Sequence, residues 1–265
     1  MTRQAQVVLI TDADSPSGKA FIQAFSAAGA KLALNSPSKG AAIGQELDAA
    51  RSFGIGLFIG SADLTDSVQA NMLLEEAEQE LGPLDVLIHN DDAYMPALIE
   101  TCEEQTFLAV MDANAKTAFV CTQQAGRRMA ERESGCILYL TSIHAEKPTG
   151  SSFAYSSSKG AVKMLSKEAA LYWGRSGIRV NTIEMGPVEG ASSRFPSTMT
   201  TLYDNYEYKV PSGKAGRCED AAKLALFLCS EEAGYVNGAD IRLDGGFLLH
   251  YMDHKMKRPR PGDRQ

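Results

Sequence analysis

Tyr155 is followed by Lys159 in the run Tyr-Ser-Ser-Ser-Lys, and Ser142 stands thirteen residues before the tyrosine. A phenol, whose ordinary pKa is about 10, exchanges protons near neutral pH only when something stabilises its phenolate, and an adjacent ammonium does so. A separation of four residues puts both groups on one helix face. Ser142, at the end of a strand-like run, offers a hydroxyl that could hold a substrate oxygen against the phenol. The three together suit the interconversion of alcohols and carbonyls. For a Tyr-x-x-x-Lys pair alone, a solvated helix face without chemistry is the competing reading, so the surrounding elements decide.

Those elements alternate. Short apolar runs at Val7 to Ile10, Lys31 to Leu34, Ile55 to Ile59, Asp85 to Ile88, Cys136 to Leu140, Ile178 to Ile183 and Ala239 to Leu243 predict about seven strands. Between them, Ala20, Phe21, Ala24, Phe25 and Ala28 form one apolar stripe at helical spacing, and Leu73, Ala77 and Leu81 form another. Two longer helical segments, roughly Cys102 to Arg132 and Ala154 to Trp173, flank the fifth strand. Apolar strands alternating with helices predict an α/β fold, a doubly wound Rossmann-type parallel sheet covered on both faces. Ligands of such sheets bind beyond the C-terminal ends of the strands.

With 265 residues, 44% hydrophobic and 22% charged, the chain is long enough for one large core. Residues 1–249 are expected to form a single domain and residues 250–265 a basic tail. No apolar stretch approaches the roughly 20 residues of a membrane span, and no cleavage-site pattern opens the chain, so a cytoplasmic protein is expected. A net charge of −7 argues against nonspecific nucleic-acid binding. The five scattered cysteines, Cys102, Cys121, Cys136, Cys218 and Cys229, read as reduced thiols, with no metal site. The tail carries Lys255, Lys257, Arg258, Arg260 and Arg264. It reads as a solvated or oligomer-contacting segment, and Met256 to Gln265 offer too little apolar area to order alone.

Further pieces occur in a telling order: Ala62-Asp63-Leu64-Thr65 after the third strand, Leu84-Asp85-Val86-Leu87-Ile88 in the fourth, and Asn114 in the long helix. Ser142, Tyr155 and Lys159 follow, then Ile178-Arg179-Val180-Asn181, then Gly238-Ala239-Asp240-Ile241-Arg242-Leu243-Asp244-Gly245-Gly246. In these, from about residue 6 to residue 247, the chain resembles the short-chain dehydrogenase/reductase family. The tyrosine-lysine spacing differs from that of the family's enoyl-reductase branch, which usually inserts six residues.

The resemblance implies hydride transfer between a nicotinamide cofactor and a small-molecule alcohol or carbonyl substrate, with Asn114, Ser142, Tyr155 and Lys159 as the catalytic set. Tyr155 would be the general acid and base, Lys159 would lower its pKa and hold the nicotinamide ribose, and Ser142 would orient the substrate oxygen. Asn114 would anchor a water in a proton relay, although capping or kinking its helix is the plainer role. The implied cofactor contacts are Thr11, Ser15, Gly18, Ser36, Asp63, Leu64, Asn90, Tyr155, Lys159, Gly186 and Val188. Like its relatives, the chain is expected to form a homodimer or homotetramer, with no membrane or nucleic-acid partner.

The cofactor half departs from the family. Where Thr-Gly-x-x-x-Gly-x-Gly is usual, this chain has Thr11-Asp12-Ala13-Asp14-Ser15-Pro16-Ser17-Gly18. Ser15 as N-cap with Pro16 at the first helical position is a sound helix start, but Asp12 brings a carboxylate towards the expected phosphates. After the fourth strand, Asn-Asn-Ala-Gly is replaced by His89-Asn90-Asp91-Asp92. The two acids are expected to face the adenosine half, where His89 could offset one by pairing with it; acids solvated at an open rim are the alternative. Met185-Gly186 replaces Pro-Gly, and Gly190 stands where a carboxamide-holding threonine is usual. The second strand ends at Ser36 instead of an acid, Lys39 could meet a 2′-phosphate and Asp14 would oppose one, so NAD(H) or NADP(H) stays open. Val188 to Lys214 is expected to form a substrate lid, with Phe195, Tyr203, Tyr206 and Tyr208 lining a pocket or packing on one another. An active oxidoreductase and a noncatalytic binding or scaffold protein on the same fold both stand.

Overall fold

The computed structural model describes residues 5–189 and 209–249. The expectations for the basic tail and for Gly190, Phe195, Tyr203, Tyr206 and Tyr208 lie outside the described residues.

The described elements run β1 (Val7–Ile10), α1 (Pro16–Ala27), β2 (Lys31–Asn35), α2 (Gly44–Ser52), β3 (Leu57–Gly60), α3 (Ser67–Leu81), β4 (Val86–His89), α4 (Glu104–Met111) and α5 (Thr117–Glu131). They continue with β5 (Gly135–Ser142), α6 (Phe153–Trp173), β6 (Ile178–Met185), α7 (Cys218–Leu228) and β7 (Asp240–Leu243). The strands form one parallel sheet of seven, ordered β3-β2-β1-β4-β5-β6-β7. Alternation along β1 shows why both faces are covered. Val8 and Ile10 pack with Phe21, Phe25, Leu47 and Ala221, from α1, α2 and α7. Val7 and Leu9 pack with Leu73, Leu74, Cys121, Met129 and Val162, from α3, α5 and α6.

The helix expected over Cys102 to Arg132 is divided. A π turn at Asp112–Lys116 separates α4 from α5. Asn114 lies in that turn, and its side chain accepts from Ala93 N at 2.8 Å and donates to Ala93 O at 2.9 Å. Such a turn widens the helix where a side chain is anchored outside it. Strand β3 begins at Leu57 instead of Ile55. Strands β5 and β6 pair from Gly135 with Ile178 to Ser142 with Met185, which carries Ser142 to the C-terminal edge of the sheet.

Candidate active site

Thr11, Asn90, Asp91 and Asp92, Ser142 and Gly186 all lie at or just beyond the C-terminal ends of β1, β4, β5 and β6. Helix α6 lays Tyr155 and Lys159 beside them, 5% and 1% exposed. Their contacts meet at Asp92. Tyr155 Oη donates to Asp92 Oδ1 at 2.7 Å, and Lys159 Nζ lies 3.0 Å from the same oxygen. Lys159 also donates to the carbonyls of Asp91 at 2.7 Å and Leu140 at 3.5 Å. Asp92 was expected at the adenosine half; it belongs instead to the tyrosine and lysine, because the chain leaving β4 turns towards α6.

The other members of the expected set are close by in the fold but differ in engagement. Ser142 caps the short turn after β5, its Oγ accepting from His144 N at 3.2 Å. Asn114 is fully buried, and beyond Ala93 it donates to Ser158 Oγ at 2.9 Å. Spacing alone did not identify Tyr94 and His144, whose rings meet the Tyr155 ring edge-on at centroid distances of 5.3 and 6.3 Å. Burial holds His144 below the usual imidazole range. These rings make the phenol's surroundings largely apolar, with Asp92 as its acidic neighbour.

Towards β1 the loop is compact. A Cβ on Gly18 would fall 2.1 Å from Asp12 O, so the one retained glycine is required for the loop to fold against α1. Ser15 accepts from Gly18 N at 3.0 Å and Pro16 opens the helix, as the sequence predicts. Burial and the neighbouring Asp91 raise Asp12 to about 6, opposed by hydrogen bonding from the Ser15 and Asp14 amides. Asp12 therefore stands at loop amides beside the N-terminus of α1, which favour an anion, while burial and Asp91 disfavour its own charge.

Asp91 is also inward. Thr11 Oγ1 donates to its carboxylate in a short contact, and burial raises it to about 6 against that bond and the charge of Lys159. His89 Nε2 is 3.3 Å from Asp91 Oδ2, but burial pushes His89 down to about 3. At neutral pH the ring is uncharged, so His89 does not offset the acid by ion pairing. The tautomer follows from its neighbours: Thr117 Oγ1 gives its proton to Ala113 O at 2.7 Å and so accepts from His89 Nε2 at 2.9 Å. His89 Nδ1 is then a buried lone pair with no hydrogen-bond partner among the described residues.

At the end of β2, Ser36 is fully buried and donates to Asp14 Oδ1 at 2.6 Å, while Asp14 Oδ2 accepts from Ser38 N at 2.8 Å. Beyond β3, Asp63 accepts from Thr65 N at 2.9 Å and Leu64 is buried. Gly186 donates to Leu243 O at 2.9 Å, and a Cβ there would fall 2.4 Å from Asp244 Cβ. Val188 bridges to Gly216. A separate cavity of about 1000 Å³ lies at the opposite ends of the strands, among Gln6, Asp85, Arg132, Arg179 and Cys229. It is remote from Tyr155, and Arg179 there is bound by the carbonyls of Leu228, Ser230 and Ala233.

The donor set fits a dinucleotide. Asp92 Oδ1 marks a point where one oxygen receives both the phenol and the ammonium, and Asp12 marks loop amides that receive an anion. These are the groups a ribose hydroxyl and a phosphate need.

A family model described as enoyl-(acyl carrier protein) reductase matches residues 14–248. The galactitol 2-dehydrogenase (L-tagatose-forming) of Cereibacter sphaeroides is 32% identical over 245 residues, covering 91% of this chain and 94% of that protein. The 3-oxoacyl-[acyl-carrier-protein] reductase of Staphylococcus aureus is 28% identical over 252 residues, covering 94% and 99%. The crystal structure of acetoin dehydrogenase YohF from Salmonella typhimurium superposes with a TM-score of 0.81 at 26% identity, covering 94% of this chain and 99% of that one. The chain belongs to the short-chain dehydrogenase/reductase family of oxidoreductases. Among the described residues, no helix is long and apolar enough to cross a membrane.

Proposed function

We propose that this chain is an NAD(P)(H)-dependent oxidoreductase that interconverts a small or medium alcohol and its carbonyl, with Tyr155 as general acid and base. The convergence of Tyr155 Oη and Lys159 Nζ on one oxygen carries this reading, for it brings a transferable proton and a positive charge to a single point. Bound nicotinamide supplies or accepts the hydride. Tyr155 gives its proton to the substrate oxygen during reduction and takes it back during oxidation. Lys159 favours the phenolate and holds the nicotinamide ribose, Ser142 orients the substrate oxygen, and Asn114 anchors a water of the relay. Thr11, Ser15, Gly18 and Asn90 form the wall for the diphosphate and its riboses. Ser36, Asp63 and Leu64 line the adenosine end, and Gly186 and Val188 the nicotinamide end.

One observation favours a second reading. Asp12 and Asp92 already engage the loop amides and the tyrosine-lysine pair, as they would in a noncatalytic binding protein on this fold. Calorimetric titration with NADH and NADPH, followed by turnover of a panel of alcohols and ketones, separates the two. Micromolar binding with turnover supports the oxidoreductase; neither dinucleotide binding at low salt rejects it.

A further inference from the structure

We propose that Asp92 is a gate on the nicotinamide end of the cleft: its carboxylate holds Tyr155 and Lys159 in the resting protein and must swing away before cofactor and substrate take their places. The proposal rests on the oxidoreductase reading and adds a residue to it.

Counting protons leads there. An ammonium has three to give. Lys159 Nζ has acceptors in Asp91 O at 2.7 Å, Leu140 O at 3.5 Å and Asp92 Oδ1 at 3.0 Å. A ribose oxygen can therefore join Lys159 only by replacing one of the three. Leu140 O belongs to the interior of β5, where the sheet fixes it, and Asp91 O belongs to the backbone leaving β4. Asp92 alone offers a side chain. That side chain is 27% exposed against 2% for Lys159, so it has a route to water while the lysine does not.

The phenol leads to the same residue. Tyr155 has one proton, and it is directed at Asp92 Oδ1 at 2.7 Å. A substrate carbonyl can receive that proton only after Asp92 has released it. One rotation of one carboxylate thus frees the ribose position on Lys159 and the proton on Tyr155 together. The resting contact has its own rationale, because a cation as buried as Lys159 is costly without an anion or several acceptors beside it. Asp92 provides that anion until a ligand arrives, and if it stayed it would occupy the ribose position on Lys159 and the proton of Tyr155.

The gate acts at the nicotinamide end and not at the adenosine end, which gives the test its control. Binding of NADH, NADPH and ADP to the parent, Asp92→Asn and Asp92→Ala would be measured by calorimetry on the full chain at low salt. The expected result is dinucleotide binding about tenfold or more tighter in Asp92→Ala, a smaller gain in Asp92→Asn, and ADP binding unchanged in both. Asp92→Asn keeps the shape and an acceptor for both donors, so it decides the matter if the alanine variant does not fold. Equal dinucleotide affinity in parent and variants, with ADP bound by all, overturns the gate but leaves the oxidoreductase reading in place. Tightening for ADP as well as the dinucleotides also overturns it, since the carboxylate would then act through general charge. Failure of the parent and every variant to bind either dinucleotide rejects the oxidoreductase reading, and the gate falls with it.

Discussion

Asn90 and Asp12 exchange hydrogen bonds across the cleft, Asp12 N donating to Asn90 Oδ1 at 3.0 Å and Asn90 Nδ2 donating to Asp12 O at 2.8 Å. The same Asn90 amide group reaches Ser15 Oγ and Ser17 Oγ, each at 3.1 Å. One buried side chain from the end of β4 therefore shapes the turn between β1 and α1, a task for which the family's missing glycines are no longer available. Asn90→Ala should lower stability by about 1–3 kcal/mol, since it strands backbone groups in a buried place. Urea unfolding of the two proteins checks it, and a change within error would mean that the loop holds its shape unaided.

Removal of the phenol's proton gives the sharpest kinetic test. Tyr155→Phe should reduce turnover by about 100-fold or more while leaving cofactor affinity nearly unchanged, because one hydroxyl is all that is lost. Lys159→Ala should damage both. Comparable turnover in the parent and Tyr155→Phe would remove Tyr155 from the reaction.

Acidic groups in the loops after β1 and β4 set a pH dependence whose direction is fixed. Asp12 and Asp91 are each raised to about 6 from 3.8, so between those values the native chain binds protons that the unfolded chain lacks, and each group favours folding as pH falls. His89, lowered to about 3 from 6.5, works the other way, since the unfolded chain protonates first. Asp12→Asn isolates one of these contributions. It should stabilise the protein near pH 7.5, where the Asp12 carboxylate is ionised, and the gain should fade towards pH 4. Denaturant unfolding at both values tests this, and a gain independent of pH would exclude the carboxylate's charge as its cause.

The same charge bears on the cofactor. If Asp12 opposes the diphosphate, Asp12→Asn should tighten NADH binding by about tenfold, and the gain should shrink with added salt wherever the carboxylate reaches solvent. Unlike Asp92→Ala, it should tighten ADP binding too. Unaltered affinity for both ligands would show that the carboxylate turns away from the phosphates.

At the far end of the cleft, Asp14 bonds Ser36 and Ser38 on the turn after β2. A carboxylate there suits a ribose hydroxyl and disfavours a 2′-phosphate. NADH should therefore bind more tightly than NADPH, by about tenfold, and Asp14→Asn should narrow the difference. Equal affinities in the parent would mean that Lys39 or another base compensates.

Legibility in the sequence followed the range of the interactions. The strands could be read because β1, β2 and β4 are nearly continuous apolar runs, as a sheet buried on both faces requires. Tyr155 and Lys159 could be read because four residues of helix fix their relation. The π turn could not, since apolar periodicity persists through it and its anchor, Ala93, is 21 residues away. Nor could Asp92, whose partner Tyr155 lies 63 residues on and is met only where β4 and α6 converge. His89 carried no sign of its neutral state until its burial between β4 and α5 was known.

The sheet order also bears on how the chain is made. Strand β1 lies between β2 and β4, yet β2 is complete at Asn35 and β4 begins only at Val86. During synthesis from the N-terminus, β1 and β2 can pair early while the other edge of β1 stays bare for some fifty residues. That edge carries Val7, Val8, Leu9 and Ile10, four apolar residues with unpaired backbone groups, which is the pattern that recruits foreign strands. The nascent chain is thus exposed to misassembly along that edge until β4 leaves the ribosome, and slow translation through α2, β3 and α3 would lengthen that interval.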